Sequence, residues 1–310
     1  MKNLLGFNLI YAHCHPDHRA LQSNPSKSFT DFIYICPMNY TIWNDNTAGG
    51  MSPLPIVYLH SFRGNGEDVW KACHGLKDCP PMVLVSVNNP GTGLDDELSP
   101  WPAEGVWKGQ APYKGLAAEH LRWMMEECVP QVEAKVSRFI RDTQGSQANG
   151  NLSTRTSDAN AGDMCKADNA GKADCTNAAD GTTARFLPVI AGYSLAGLFA
   201  LWAAWNSGYF RRVASVSGSL WYPGFTDYIR NNAPKSGCGE NTGPEKAYFS
   251  LGDRESRTRH PLMSRVDACT AEVVERVRSY GIKTTFEWNP GNHFDHPELR
   301  MARALAWLLR

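Results

Sequence analysis

The chain has 310 residues, 42% of them hydrophobic and 20% charged, which is ordinary for a soluble globular protein with enough length for one large core. Its 31 Lys and Arg are balanced by 31 Asp and Glu, so the basic footprint that a nucleic-acid partner requires is absent. Nine scattered cysteines, an odd number with no C-x-x-C pair, do not read as a disulfide framework or a structural zinc ribbon, and they favour a reducing, cytoplasmic setting.

In chain order, residues 1–28 read as an N-terminal extension. The apolar run from Leu4 to Ala12 is broken by Asn8 and lacks a small-residue cleavage site, so it makes a poor signal peptide. No stretch approaches the roughly 18 apolar residues that span a membrane, so no membrane partner is expected. Next comes His13-Cys14-His15-Pro16-Asp17-His18. It matches H-x-H-x-D-H, a metal-binding signature in which imidazoles and a carboxylate hold zinc. A metal-dependent hydrolase built on His13, His15, Asp17 and His18 is therefore an alternative. The later Gly-His ligand segments such a site needs are not found, and a His-rich terminal segment also explains the motif.

From Phe29 onward, strand-like and helix-like segments alternate, the pattern of an α/β domain with a mostly parallel sheet. Strands are expected at Phe29–Cys36, Ile56–His60, Met82–Val87, Leu187–Ala191, Val213–Val216, Ala247–Leu251 and Thr284–Trp288. Their continuous apolar runs suit strands covered on both faces. Between His120 and Ile140, Leu121, Met124, Met125, Cys128, Val132, Val136 and Phe139 recur at spacings of one to four residues. They predict a helix with one buried face, which Pro130 should end or kink. Further helices are expected at Ala196–Trp205, Met263–Tyr280 and Leu299–Leu309. Residues 142–183 are rich in Asn, Asp, Gly, Ala, Ser and Thr and read as a surface insertion with too little apolar surface to offset its ordering entropy. Cys165 and Cys175 lie inside it.

Chemistry concentrates in four segments. Gly192-Tyr193-Ser194-Leu195-Ala196-Gly197 follows an apolar strand and opens an apolar helix, the setting of a nucleophile elbow. Small residues two before and two after the serine let that turn close. Here Ala196 replaces the usual second glycine. The helix N-terminus behind Ser194 favours developing negative charge. Asn289-Pro290-Gly291-Asn292-His293-Phe294 follows the last strand, where a general base belongs. His293 is preferred, because His296 precedes Pro297 and reads as a helix-start residue. In the loop Gly252-Asp253-Arg254-Glu255, two carboxylates compete for the acid. Glu255 has the three-residue spacing after Gly252, and Asp253 is the alternative. Oxyanion donors are expected from the N–H groups of Leu195 and Phe62, the latter in the loop after Leu59-His60-Ser61.

Leu59–Trp70 (LHSFRGNGEDVW), Gly192–Leu201 (GYSLAGLFAL), Ser217–Trp221 (SGSLW), Ser250–Arg259 (SLGDRESRTR) and Gly291–Phe294 together resemble an esterase family that includes the esterase D group and the siderophore (enterobactin-type) esterases. The resemblance runs from about Phe29 to the end, outside the 142–183 insertion. It implies one α/β-hydrolase domain over 29–310, no metal or other cofactor, and hydrolysis of a small-molecule carboxylic ester through an acyl-enzyme. Members act on formylglutathione, siderophore esters, feruloyl or acetyl esters of sugars, or acyl-trehalose. Trp101 and Trp221 would then help line the substrate cleft, or else pack in the core. Ser61, which stands where many relatives have glycine after the histidine, and Ala196 are departures expected of a different outcome, a non-catalytic binding protein on the same fold.

Overall fold

The structure, a computed structural model, describes residues 9–11, 32–35, 53–60, 66–87, 94–149, 186–235 and 243–310. Among these, eight strands form one sheet. They are β1 (Leu9–Tyr11), β2 (Phe32–Ile35), β3 (Leu54–His60), β4 (Val83–Ser86), β5 (Phe186–Tyr193), β6 (Arg212–Val216), β7 (Lys246–Gly252) and β8 (Lys283–Asn289), in the order β1-β2-β4-β3-β5-β6-β7-β8. The pairs from β4 through β8 are parallel, whereas β1–β2 and β2–β4 are antiparallel. β1 lies within the segment read from sequence as an extension and forms one edge of the sheet. Three residues are too few to show strand periodicity.

Alternation along β3 explains the continuous apolar runs. Ile56 and Tyr58 face one core layer, and Val57 and Leu59 face the other. The first layer is covered by α3 (Ala117–Trp123), α4 (Val129–Asn149), α5 (Leu195–Ser207), α6 (Phe225–Asn231) and α7 (Val266–Ser279). The second is covered by α1 (Glu67–Gly75) and α8 (Pro297–Leu309). A short α2 spans Leu94–Glu97. α5 is apolar on every side, and residues from Ala196 to Trp205 are all buried, as befits a helix in the centre of a domain.

Two expectations need correcting. The helix expected over His120–Ile140 is interrupted, but not at Pro130 itself. Met124–Cys128 form one π turn in which the Val129 N–H donates to the Met124 carbonyl, and α4 then begins. Proline cannot donate to the carbonyl four residues back, and its ring crowds that carbonyl; a widened turn just before it removes the conflict. The backbone of α4 also continues to Asn149, so the first residues of the supposed insertion at 142–183 are helical. Cys165, Cys175, Phe62 and the His13–His18 cluster lie outside the described residues. No helix among the described residues is long and apolar enough to cross a membrane.

Beneath α5, His60 at the end of β3 and His120 of α3 are buried with their Nε2 atoms 3.1 Å apart, both rings packed on Phe199. Neither Nδ1 has a hydrogen-bond partner among the described residues, and Glu97 Oε2 is 3.6 Å from that of His120. Burial lowers both imidazoles, His120 to about 4, and each is a poor neighbour for a second positive charge. Below the ordinary value of 6.5 the unfolded chain binds protons that the folded chain refuses. Their contribution to stability is therefore complete above about pH 6.5 and is lost as pH falls toward 4, by about 3 kcal/mol for His120. His120→Gln should flatten the fall of unfolding free energy between pH 6.5 and 4, measured by urea titration. An unchanged slope would contradict this origin.

Candidate active site

The C-terminal ends of β5, β7 and β8 lie along one edge of the sheet, with β6 between β5 and β7, and this is the edge at which open α/β sheets bind ligands. Ser194 immediately follows β5, Glu255 lies three residues beyond β7 and His293 four beyond β8. Their side chains form one line. His293 Nε2 is 2.9 Å from Ser194 Oγ, and His293 Nδ1 is 2.8 Å from Glu255 Oε2.

Ser194 has φ 61 and ψ −124, a strained combination for a residue with a side chain. The turn holds it through its backbone. The Ser194 N–H donates to the Val216 carbonyl, while its own carbonyl accepts from the N–H groups of Gly197, Leu198 and Ser219. Gly192 is obligatory here, because a Cβ would collide with the backbone carbonyl of Ala196. The methyl of Ala196, the departure noted in the sequence, is accommodated and buried. Gly197 fits closely instead: a Cβ there would stand 3.0 Å from the Gly218 Cα. The Leu195 N–H is at the first position of α5, where the helix itself supplies no acceptor, beside Ser194.

Glu255 and Asp253 are separated by their surroundings. The Glu255 side chain is 3% exposed. Its Oε1 accepts from the Gly252 N–H at 2.6 Å, the Ser217 hydroxyl at 2.8 Å and Arg300 Nη1 at 3.0 Å, leaving Oε2 to His293. Burial pushes this carboxyl up, but the hydrogen bond and charge of His293, with the Gly252 and Ser217 donors, outweigh that and hold it below the ordinary value. Asp253 is 57% exposed and instead accepts the Gly291 N–H at 2.8 Å, which ties the loop after β7 to the loop after β8. The loop after β8 is held further by the Tyr193 hydroxyl, which donates to the His293 carbonyl at 2.7 Å. His296 caps α8 in the left-handed region (φ 53) ahead of Pro297, the helix-start position expected.

Trp101 and Trp221 are partly buried against the first core layer. The Trp101 indole N–H donates to the Pro223 carbonyl and its ring packs among Tyr222, Phe225 and Tyr228, so it braces the segment after β6. Ser217, quoted from sequence only as the first residue of the Ser217–Trp221 motif, contacts Glu255 directly. Arg300 was missed altogether. Its signal was its register on α8: it lies four and eight residues before Ala304 and Leu308, on the buried stripe, where an arginine is out of place. No set of three or more His, Cys, Asp and Glu able to hold a metal occurs among the described residues.

A mostly parallel sheet with a strained serine at a strand-to-helix turn, and a buried glutamate and a histidine from two later strand ends, is the arrangement of the α/β-hydrolase fold. No family model and no curated protein matches the chain. Solved structures share its fold. It is similar to an IroE-like serine hydrolase from Shewanella oneidensis, with 13% identity and TM-score 0.53 over 89% of this chain and 73% of that one. The siderophore hydrolases EstB and EstA from Aspergillus nidulans are similar at 15% and 14% identity and TM-scores of 0.53 and 0.52, over 89% of this chain and 88% of theirs.

Proposed function

We propose that the protein is a serine carboxylic-ester hydrolase in which Ser194 is the nucleophile, His293 the general base and Glu255 the acid. The observation that carries this reading is the unbroken hydrogen-bonded line from Ser194 Oγ through both nitrogens of His293 to a buried carboxylate. Ser194 attacks the ester carbonyl carbon and passes its proton to His293 Nε2. The oxyanion takes the Leu195 N–H, with the Phe62 N–H as the second donor expected from sequence. Collapse expels the alcohol, which takes the proton from Nε2. Water, deprotonated by the same imidazole, then attacks the acyl-enzyme and frees the acid and Ser194. Glu255 holds the Nδ1–H tautomer and stabilises the imidazolium. Trp221 is the lining residue proposed for the cleft, and the cysteine usage fits a cytoplasmic enzyme.

A fluorophosphonate probe tests the assignment. It should label the wild-type chain and fail on Ser194→Ala, and short p-nitrophenyl esters should be turned over only by the former. Absence of labelling together with chelator-sensitive hydrolysis would instead point to the His13–His18 cluster. The structures it resembles include siderophore hydrolases. A siderophore ester therefore heads the substrate panel, followed by feruloyl esters, acetyl-sugar esters and thioesters.

A further inference from the structure

Arg300 is 2% exposed, deep for a side chain whose charge never leaves it. It lies at the fourth position of α8, far in sequence from both the nucleophile and the acid. Nη1 donates to Glu255 Oε1 and Ser217 Oγ at 3.0 Å each and to the Tyr193 hydroxyl at 3.2 Å. Nη2 donates to the Asn292 carbonyl at 2.9 Å and, more weakly, to that of Pro290 at 3.4 Å. These partners come from the C-terminal ends of four strands, β5, β6, β7 and β8. Tyr193 precedes the nucleophile, Glu255 is the acid, and Pro290 and Asn292 bracket the turn that presents His293. The Tyr193 hydroxyl continues the chain by donating to the His293 carbonyl. Gly252 makes room for the group, because a Cβ there would stand 2.9 Å from Nη2.

We propose that Arg300 is a positioning residue: its planar guanidinium clamps the acid and the base loop to the strand that carries the nucleophile, and so sets the Ser194–His293–Glu255 alignment. This rests on the ester-hydrolase reading above. Two features distinguish the clamp from a packing arginine. Its two nitrogens serve different catalytic loops at once, which an ammonium cannot do. It also occupies Glu255 Oε1 together with Ser217 and the Gly252 N–H, which leaves Oε2 as the oxygen facing His293.

The test compares Arg300→Met and Arg300→Lys with Arg303→Met, a control on the same helix whose side chain is 44% exposed. With p-nitrophenyl acetate, Arg300→Met should lose about 100-fold in kcat with KM unchanged, the scale of a misaligned catalytic group. Arg300→Lys should fall between it and wild type, and Arg303→Met should match wild type. The acid limb of the pH profile of kcat/KM should move to higher pH in Arg300→Met, because the carboxylate beside His293 has lost its neutralising cation. A structural role alone would lower stability without moving that limb. Folded Arg300→Met with wild-type kcat and an unmoved limb overturns the clamp while leaving the hydrolase reading intact. If the wild-type chain neither takes the fluorophosphonate nor cleaves any ester, both readings fall together. Should Arg300→Met not fold, Arg300→Lys decides: wild-type kcat in it overturns the proposal, and a loss with KM unchanged supports it.

Discussion

Glu255→Gln should lower kcat about 10⁴-fold, whereas Asp253→Asn should leave it within a few-fold of wild type. The glutamine carbonyl oxygen would take the place of Oε1, because three donors converge there: the Gly252 N–H, the Ser217 hydroxyl and Arg300 Nη1. That leaves the NH₂ group facing His293 Nδ1. An N–H donor there forces Nδ1 to be the acceptor and puts the imidazole proton on Nε2, pointing at Ser194 Oγ. Nε2 can then no longer take the serine proton. The fold and the hydrogen-bond count survive, so the loss appears in kcat and not in stability. Asp253 uses its carboxylate to accept the Gly291 N–H, and an asparagine oxygen does the same from an exposed position. Steady-state kinetics on one p-nitrophenyl ester suffice to compare them. If Asp253→Asn proves as damaging as Glu255→Gln, the acid has been misassigned.

The second large effect is expected at Gly192. Gly192→Ala places a methyl group against the Ala196 carbonyl, in the first turn of the helix that the serine opens. Neither side can yield. Gly192 is the seventh residue of an eight-residue strand paired on both sides, to His60 of β3 and to Ser215 of β6, and α5 is buried throughout. The clash must be relieved by opening the elbow, which destroys the geometry of Ser194, or by moving α5 within a close-packed core. We expect a loss of more than about 4 kcal/mol, seen as absence of a folded, fluorophosphonate-reactive protein. Ala196→Gly is the contrasting change. It restores the usual small residue of the motif at a cost of only about 1 kcal/mol in helix propensity, and reactivity should persist. Comparable stability of the two variants in thermal denaturation would refute the steric account.

How much of this was legible in the sequence varies with how local each cause is. Strands β3 through β7 could be read because both faces are covered, which demands unbroken apolar runs such as Ile56–His60 and Val213–Val216. α5 was legible for the same reason. The edge strand β8 is only partly covered and was read from its Thr, Phe and Trp residues. By contrast α1 and α6, at nine and seven residues, are too short to show a clear period, and β1 is three residues long. The π turn before Pro130 follows from a steric rule, but the rule permits a kink, an end or a bulge, and packing of the buried Met124 and Cys128 accompanies the bulge. Ala196 looked like a flaw in the elbow because the sequence shows only composition. The close approach is made by the backbone of Ala196 toward Gly192, and a side chain on Ala196 does not obstruct it.

By itself, then, the sequence determined the α/β class, the order of the strands that carry chemistry and the residue types at three of their ends: a serine between small residues, a histidine in a glycine-containing loop, and an acidic loop between them. Those are consequences of neighbouring residues along the chain. Which carboxylate meets the imidazole was decided only in three dimensions. Asp253 and Glu255 are two residues apart and chemically alike, yet one points to solvent and the other into a buried nest built from the ends of β6 and β7 and from α8. Arg300 belongs to the same category. A hydrogen bond from the terminal helix to residues 45 and 107 positions earlier leaves no local pattern, because what selects the residue is the desolvated carboxylate across the fold and not its own neighbours in sequence.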